Sequence, residues 1–330
     1  MKKILLTVAA LACCILQGRA VDNNTVEIVY SGTSATVSIA PNITQYVSVS
    51  SGTSSHVVIT QSSDFAGVDA TTDNEDGEII YILSGTSTDG EFLLTGSYKC
   101  EVDLNGLTLT NPSGPALNIQ NGKRIAISAK KGTTNTLTDG ANDSYNGCIH
   151  VKGHTKIKGK GTLTVTGNSK HAIYSKEYFE MKNATVNITS AVKDAIHCKE
   201  YFLMESGTLT ITSASEDGIQ CELSSGSDVT SETTDHEDEN SGNVYMTDGT
   251  MTISSVGGYA LKADGIASLT GGTRNFTDSS IYTSIAAPTA DAAAGVAQTF
   301  DLGGRRVAGG QAKGVVVTKG SKRVVKSASK

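Results

Sequence analysis

From residue 161 onward apolar and polar residues alternate in short runs of four to six, each closed by Gly, Asn or charged residues. Period-2 alternation over so few positions marks half-buried strands. No segment carries a 3.6-residue or heptad period. The runs recur as GTLTVTGNSKHAIYSKEYFEMKN (161–183), ATVNITSAVKDAIHCKEYFLMES (184–206), GTLTITSASEDGIQCE (207–222) resumed by NVYMTD (243–248), and GTMTISSVGGYALKADGIASLTG (249–271). The starts at 161, 184 and 207 are 23 residues apart, and the longer step to 249 is the same unit with a polar, acidic loop inserted at 223–242. Weaker copies begin near Asn105 and Thr133, and GEIIYILSG (77–85) opens the series.

Each unit holds three alternating runs, typified by Leu163/Val165, Ile173/Ser175 and Phe179/Met181. Three short strands per unit, joined by tight bends, predict an all-β fold, a right-handed single-stranded parallel β-helix of about seven coils over 77–283. Stacking coils at ~4.8 Å aligns equivalent residues in columns. The inward columns are then Leu163–Val186–Leu209–Met251, Ile173–Ile196–Ile219–Leu261 and Met181–Met204–Met246–Leu269. Cys198 and Cys221 fall in one inward column between Ser175 and Ala263. They are either a stack of small buried side chains or a disulfide. Residues 21–76 alternate without keeping the period and are expected to cap the rod, as repeat proteins require. A small-residue linker (284–300) and a last β segment (301–330) follow.

Composition adds compartment. The first 20 residues, MKKILLTVAALACCILQGRA, combine two lysines, an apolar run from Ile4 to Leu16 and small residues at the end, the pattern of a secretory signal peptide cleaved after Ala20. A lipoprotein signal at Cys13 or Cys14 is the competing reading, with Ala10-Leu11-Ala12 a poor match. The protein is therefore expected outside the cytoplasm, extracellular or on the outer-membrane surface, with the periplasm as the alternative. No other stretch is apolar for long enough to be a transmembrane segment. Residues 21–300 hold 16 Lys/Arg against 32 Asp/Glu, a net charge of −16. That argues against nucleic acid as a partner and for divalent cations.

Candidate chemistry lies on the outward columns. One runs Asn118, His150, Tyr174, His197, Gln220, Lys262, a polar ladder in which Tyr174 would add an apolar face for a sugar ring. Tyr178 and Tyr201 would form a second platform. Asp194 and Asp217 share a column on consecutive coils, with Glu216 beside the latter. Like charges ~4.8 Å apart repel unless a cation sits between them, so calcium is expected there, or else these are turn residues. Asp139 and Asp143, in TDGANDSYNG, are a second oxygen-rich pair open to the same two readings. A lyase would need a cationic base over such a cation. Only Arg124 and Arg274 lie within the coils, away from the Asp column, while His171 and His197 lie near it and leave a His or Lys base open; with no catalytic motif in the sequence, binding is favoured over catalysis.

The block DLNGLTLTNPSGPALNIQ, followed by GTTNTLTDG and the recurring GTLTVT…DAIHCK units, resembles the pectate-lyase-like β-helical carbohydrate-binding family over residues 78–271. The resemblance implies a secreted polysaccharide-binding module for cellulosic or acidic, pectin-like glycans, with calcium in the fold. A pectate-lyase-like enzyme is the alternative, and a structural or adhesive surface rod the third reading. His171 and Tyr259 depart from the Asp column, as does the 223–242 insertion. The tail TFDLGGRRVAGGQAKGVVVTKGSKRVVK is similar to the C-terminal sorting domains of Bacteroidetes, which implies export and sorting machinery as a further partner.

Overall fold

The computed structural model describes residues 22–65, 78–224, 239–277 and 280–284, and the backbone of four further strands between 299 and 325. The expected signal peptide and most of the acidic insertion and linker lie outside the described residues.

The alternating runs wind into a parallel β-helix with three faces. In one turn Thr162–Gly167 lies on face B, His171–Ser175 on face C and Phe179–Lys182 on face A. Each pairs in parallel with its equivalent one unit later: Ala184–Ala191, Ile196–Lys199 and Tyr201–Met204. The register brings Leu163 onto Val186, Leu209 and Met251, Ile173 onto Ile196, Ile219 and Leu261, and Met181 onto Met204, Met246 and Leu269. These are the expected inward columns, and apart from the partly covered Leu269 they are fully buried in one core along the rod.

Among the described residues face C carries nine parallel rungs, from His56–Gln61 to Ile281–Thr283, where about seven were expected for the whole helix. One extra rung comes from the N-terminal segment. Thr25–Ser31 pairs in parallel with Ile79–Ser87, and His56–Gln61 with Glu91–Gly96. Ser34–Ile39 and Val47–Val49 then run antiparallel to that first rung, occupying its outer edge.

The corner between faces A and B changes along the rod. Early on, the single strand Cys100–Asn111 spans both faces, its first half pairing with Ile125–Ala129 and its second with Thr134–Asp139. At the bend the amides of Gly106 and Leu107 turn to a side chain. Buried Asn135 accepts both through Oδ1, at 2.9 and 3.0 Å. Later turns break at this corner, where most use a glycine of positive φ and one uses Asn183, with φ of 59°. Gly207 has φ of 102°, and a Cβ there would stand 2.3 Å from the Ala184 carbonyl oxygen.

Cys198 and Cys221 are register partners with free, buried thiols, so of the two readings the column is a stack of small side chains. The Cys198 Sγ lies 3.7 Å from the Tyr201 carbonyl, as the Ser175 hydroxyl donates to that of Tyr178 one turn earlier. Among the described residues no helix is long and apolar enough to cross a membrane. The C-terminal unit is an antiparallel sheet of Thr299–Asp301, Arg306–Val307, Gly314–Thr318 and Ser321–Val325.

Candidate functional site on face C

Register places Asn118, His150, Tyr174, His197, Gln220 and Lys262 in one outward column, and continues it to Tyr282. The column forms as expected, but its side chains differ in what they leave open. Asn118 is 1% exposed: its amide donates to Glu91 Oε1 at 2.9 Å and its carbonyl accepts from Gln120 at 2.7 Å. Tyr174 is sandwiched, with His150 at 5.2 Å and 9° on one side and His197 at 5.5 Å and 19° on the other. The expected apolar face for a sugar is therefore not available. Rungs ~4.8 Å apart leave no space between rings stacked along the axis, so only ring edges face outward.

Protonation turns the ladder into a set of donors. Burial and the nearby Lys170 push His150 down to about 4, and its Nδ1 accepts the Asn146 amide at 3.3 Å, which leaves the proton on Nε2. Burial opposes charge on His197, but hydrogen bonds to Asp194 and Glu222 overcome it and raise the imidazole to about 9. Its Nδ1 lies 3.0 Å from Asp194 Oδ2 and its Nε2 3.5 Å from Glu222 Oε2. Lys262, whose burial is outweighed by Asp217, is also held charged.

Each of the two stacked aspartates has partners of its own. Asp194 Oδ1 accepts the Asp217 amide at 2.9 Å, and its Oδ2 faces His197 and, at 3.3 Å, His171. Asp217 Oδ1 accepts the Tyr259 amide at 2.7 Å, and its Oδ2 sits 3.1 Å from the Lys262 ammonium. Each of the four oxygens thus faces a nitrogen, and at Asp217 the Lys262 ammonium stands where a cation was expected. Glu216 stands apart on the surface opposite Lys193. The second pair is divided as well. Asp139 is buried, accepts the Asn168 amide, and is raised to about 6 by desolvation, whereas Asp143 is exposed.

Tyr178 and Tyr201 stack on each other at 4.8 Å but are 2% and 0% exposed, so they are no sugar platform. They belong to a second apolar cluster outside face A with Leu203 and Tyr245. The returning end of the acidic insertion docks beside it, with buried Glu239 accepting from the Tyr245 hydroxyl at 2.6 Å.

His154 stacks on Tyr178 at 4.1 Å, with Glu177 Oε2 at 2.9 Å and Glu200 Oε2 at 3.5 Å. Burial lowers this imidazole, but the two glutamates outweigh burial and lift it to about 9. Because the folded value exceeds the unfolded ~6.5, the stabilisation is complete below that pH and is lost as pH rises through about 9. Its size is on the order of 1–2 kcal/mol after solvent screening. Thermal melts from pH 6 to 10 should show the decline, and His154→Gln should flatten it. An unchanged profile in the variant would refute the assignment.

Four residues absent from the expected site complete it. His171 and Glu222 flank His197, and Tyr259 and Tyr282 form an exposed pair, 38% and 41% accessible, with ring centroids 5.2 Å apart. Asp217 fixes this end of the face, since one oxygen holds the Tyr259 backbone and the other the Lys262 side chain.

A family model described as "Carbohydrate-binding domain-containing protein" matches residues 67–313. No curated protein matches. Among solved structures, the polysaccharide lyase-like protein from C. thermocellum, determined as a gadolinium derivative, is similar at 21% identity with a TM-score of 0.56, covering 78% of this chain and 96% of that one. That likeness is one of fold, and it agrees with the parallel β-helix built above. On the family match, spanning most of the β-helix, this chain belongs to the carbohydrate-binding domain-containing proteins.

Proposed function

We propose that the protein is an exported polysaccharide-binding rod whose glycan lies on the C-terminal end of face C, against Gln220, Lys262, Tyr259 and Tyr282. The observation that carries this reading is the exposed tyrosine pair beside two partly exposed donors, in a chain of a carbohydrate-binding family. Tilted aromatic rings provide apolar surface for a pyranose, while Gln220 and the Lys262 ammonium suit hydroxyl or carboxylate oxygens. Lys262 therefore supports an acidic glycan, while the tyrosine pair also suits a cellulosic one. The leader-like first 20 residues and the sorting-like tail support export to the cell surface.

Binding is favoured over elimination chemistry because none of the three basic side chains of the ladder offers a free lone pair. His150 Nδ1 is occupied, both His197 nitrogens face carboxylates, and Lys262 is held protonated. Affinity electrophoresis in polygalacturonate and soluble cellulose derivatives tests the reading. Tyr259→Ala, Tyr282→Ala and Lys262→Ala should each weaken retention about 3- to 10-fold, the range expected for one aromatic or donor contact. Thr210→Ala on face B should not. Polygalacturonate incubated with the protein should give no unsaturated, UV-absorbing uronide. Its appearance would favour the lyase.

A further inference from the structure

We propose that His171, Asp194 and His197 form a site for one divalent transition-metal ion of the zinc class. Among the described residues these three place ligand atoms that all lie within 4.8 Å of one another. Nδ1 of His171 and Nδ1 of His197 stand 3.3 and 3.0 Å from the same oxygen, Asp194 Oδ2. With metal–ligand bonds of ~2.0–2.1 Å, one edge of a tetrahedron is ~3.3 Å, so the His171 edge fits as it stands and the His197 edge needs to open by a few tenths of an ångström around an ion. The side chains come from two consecutive rungs of face C and the corner that leads into the second, and His171, Asp194 and His197 are 7%, 1% and 8% exposed.

Two further features point to a ligand rather than to a closed hydrogen-bond cluster. His171 Nδ1 is buried without a hydrogen-bond partner among the described residues, although it faces the carboxylate. Glu222 Oε2 lies 3.5 Å from His197 Nε2, the position of the outer carboxylate that holds a metal-bound histidine in its tautomer with Nδ1 as the donor atom. In the metal-free chain a proton bridges His197 and Asp194, and the ion takes its place. The donor set decides the metal. Two imidazoles and one carboxylate oxygen suit Zn²⁺, Co²⁺ or Ni²⁺, whereas Ca²⁺ takes six to eight oxygens. Three protein donors leave a fourth position for water or for an oxygen of a bound molecule. This site does not rest on the glycan reading, because the tyrosine pair and Lys262 are not among its ligands.

The test uses the full chain without a polyhistidine tag, stripped with chelator and titrated calorimetrically with Zn²⁺. One zinc per chain is expected, with a rise in melting temperature that calcium does not reproduce. His171→Ala should weaken binding by about 100-fold or more and Glu222→Gln by about 10- to 100-fold. Should His171→Ala fail to fold, Co²⁺ added to the unaltered chain should give the intense visible bands of tetrahedral coordination. Zinc affinity equal in both variants and the parent, no zinc binding by the parent, or only weak octahedral cobalt bands would overturn the proposal.

Discussion

Phe202→Ala should lower the unfolding free energy by about 3–5 kcal/mol, the range for emptying a phenylalanine site in a packed core. Phe202 is fully buried and lies parallel to Phe179, with centroids 5.3 Å apart and planes 4° from one another. It also sits in register with Val244 on the following rung. Truncation therefore removes contacts to both neighbouring turns, and in a rod whose stability is a sum of turn and interface contributions that couples the loss along the axis. Urea unfolding followed by far-UV dichroism measures it. Thr210→Ala, outward on face B, should stay within about 0.5 kcal/mol of the parent. A Phe202→Ala protein as stable as that control would mean that the inward columns are wrongly assigned.

Asp194→Ala should cost about 3–5 kcal/mol in the presence of chelator, as expected when one partner of a buried charge pair is removed. Three groups depend on this carboxylate: the Asp217 amide at 2.9 Å, His197 Nδ1 at 3.0 Å and His171 Nδ1 at 3.3 Å. Alanine leaves the amide and the imidazoles without it in a site that is 1% exposed. Asp194→Asn should be milder, because an amide oxygen can still cap the Asp217 N–H. If the two variants were equally stable, the oxygen that caps the Asp217 N–H would contribute nothing. The same pair separates this role from the calcium reading, since calcium should shift the melting temperature of neither parent nor variants.

The 23-residue period was enough to place Leu163 over Val186 and Tyr174 over His197, because a parallel ladder in steady register turns sequence spacing directly into spatial columns. It said which residues are neighbours but not how their side chains turn. Column membership alone could not show that the rings of His150, Tyr174 and His197 stack and close Tyr174's faces. Nor could it show that Asp194 reaches along the axis to cap the Asp217 amide of the next turn. His171, in sequence a break in the Asp column, is in space a partner of Asp194 one rung later. The burial of Tyr178 and Tyr201 escaped the repeat for another reason. The segment that returns beside them, with Glu239 against Tyr245, belongs to the insertion and has no counterpart in other turns. The one signal available was a cluster of large side chains at nominally outward positions next to that insertion.

A polysaccharide lying against Tyr259, Tyr282 and Lys262 should report its own arrival. The chain contains no tryptophan, so Tyr282→Trp introduces a single fluorophore at an exposed position of the proposed site while keeping an aromatic ring beside Tyr259. Titration with polygalacturonate and with cello-oligosaccharides should shift and quench its emission saturably, while the emission of Thr210→Trp on face B stays unchanged. A polysaccharide that is retained by the protein yet leaves the emission of the Tyr282→Trp variant unaltered, or that alters only the face B reporter, would contradict glycan binding at this end of face C.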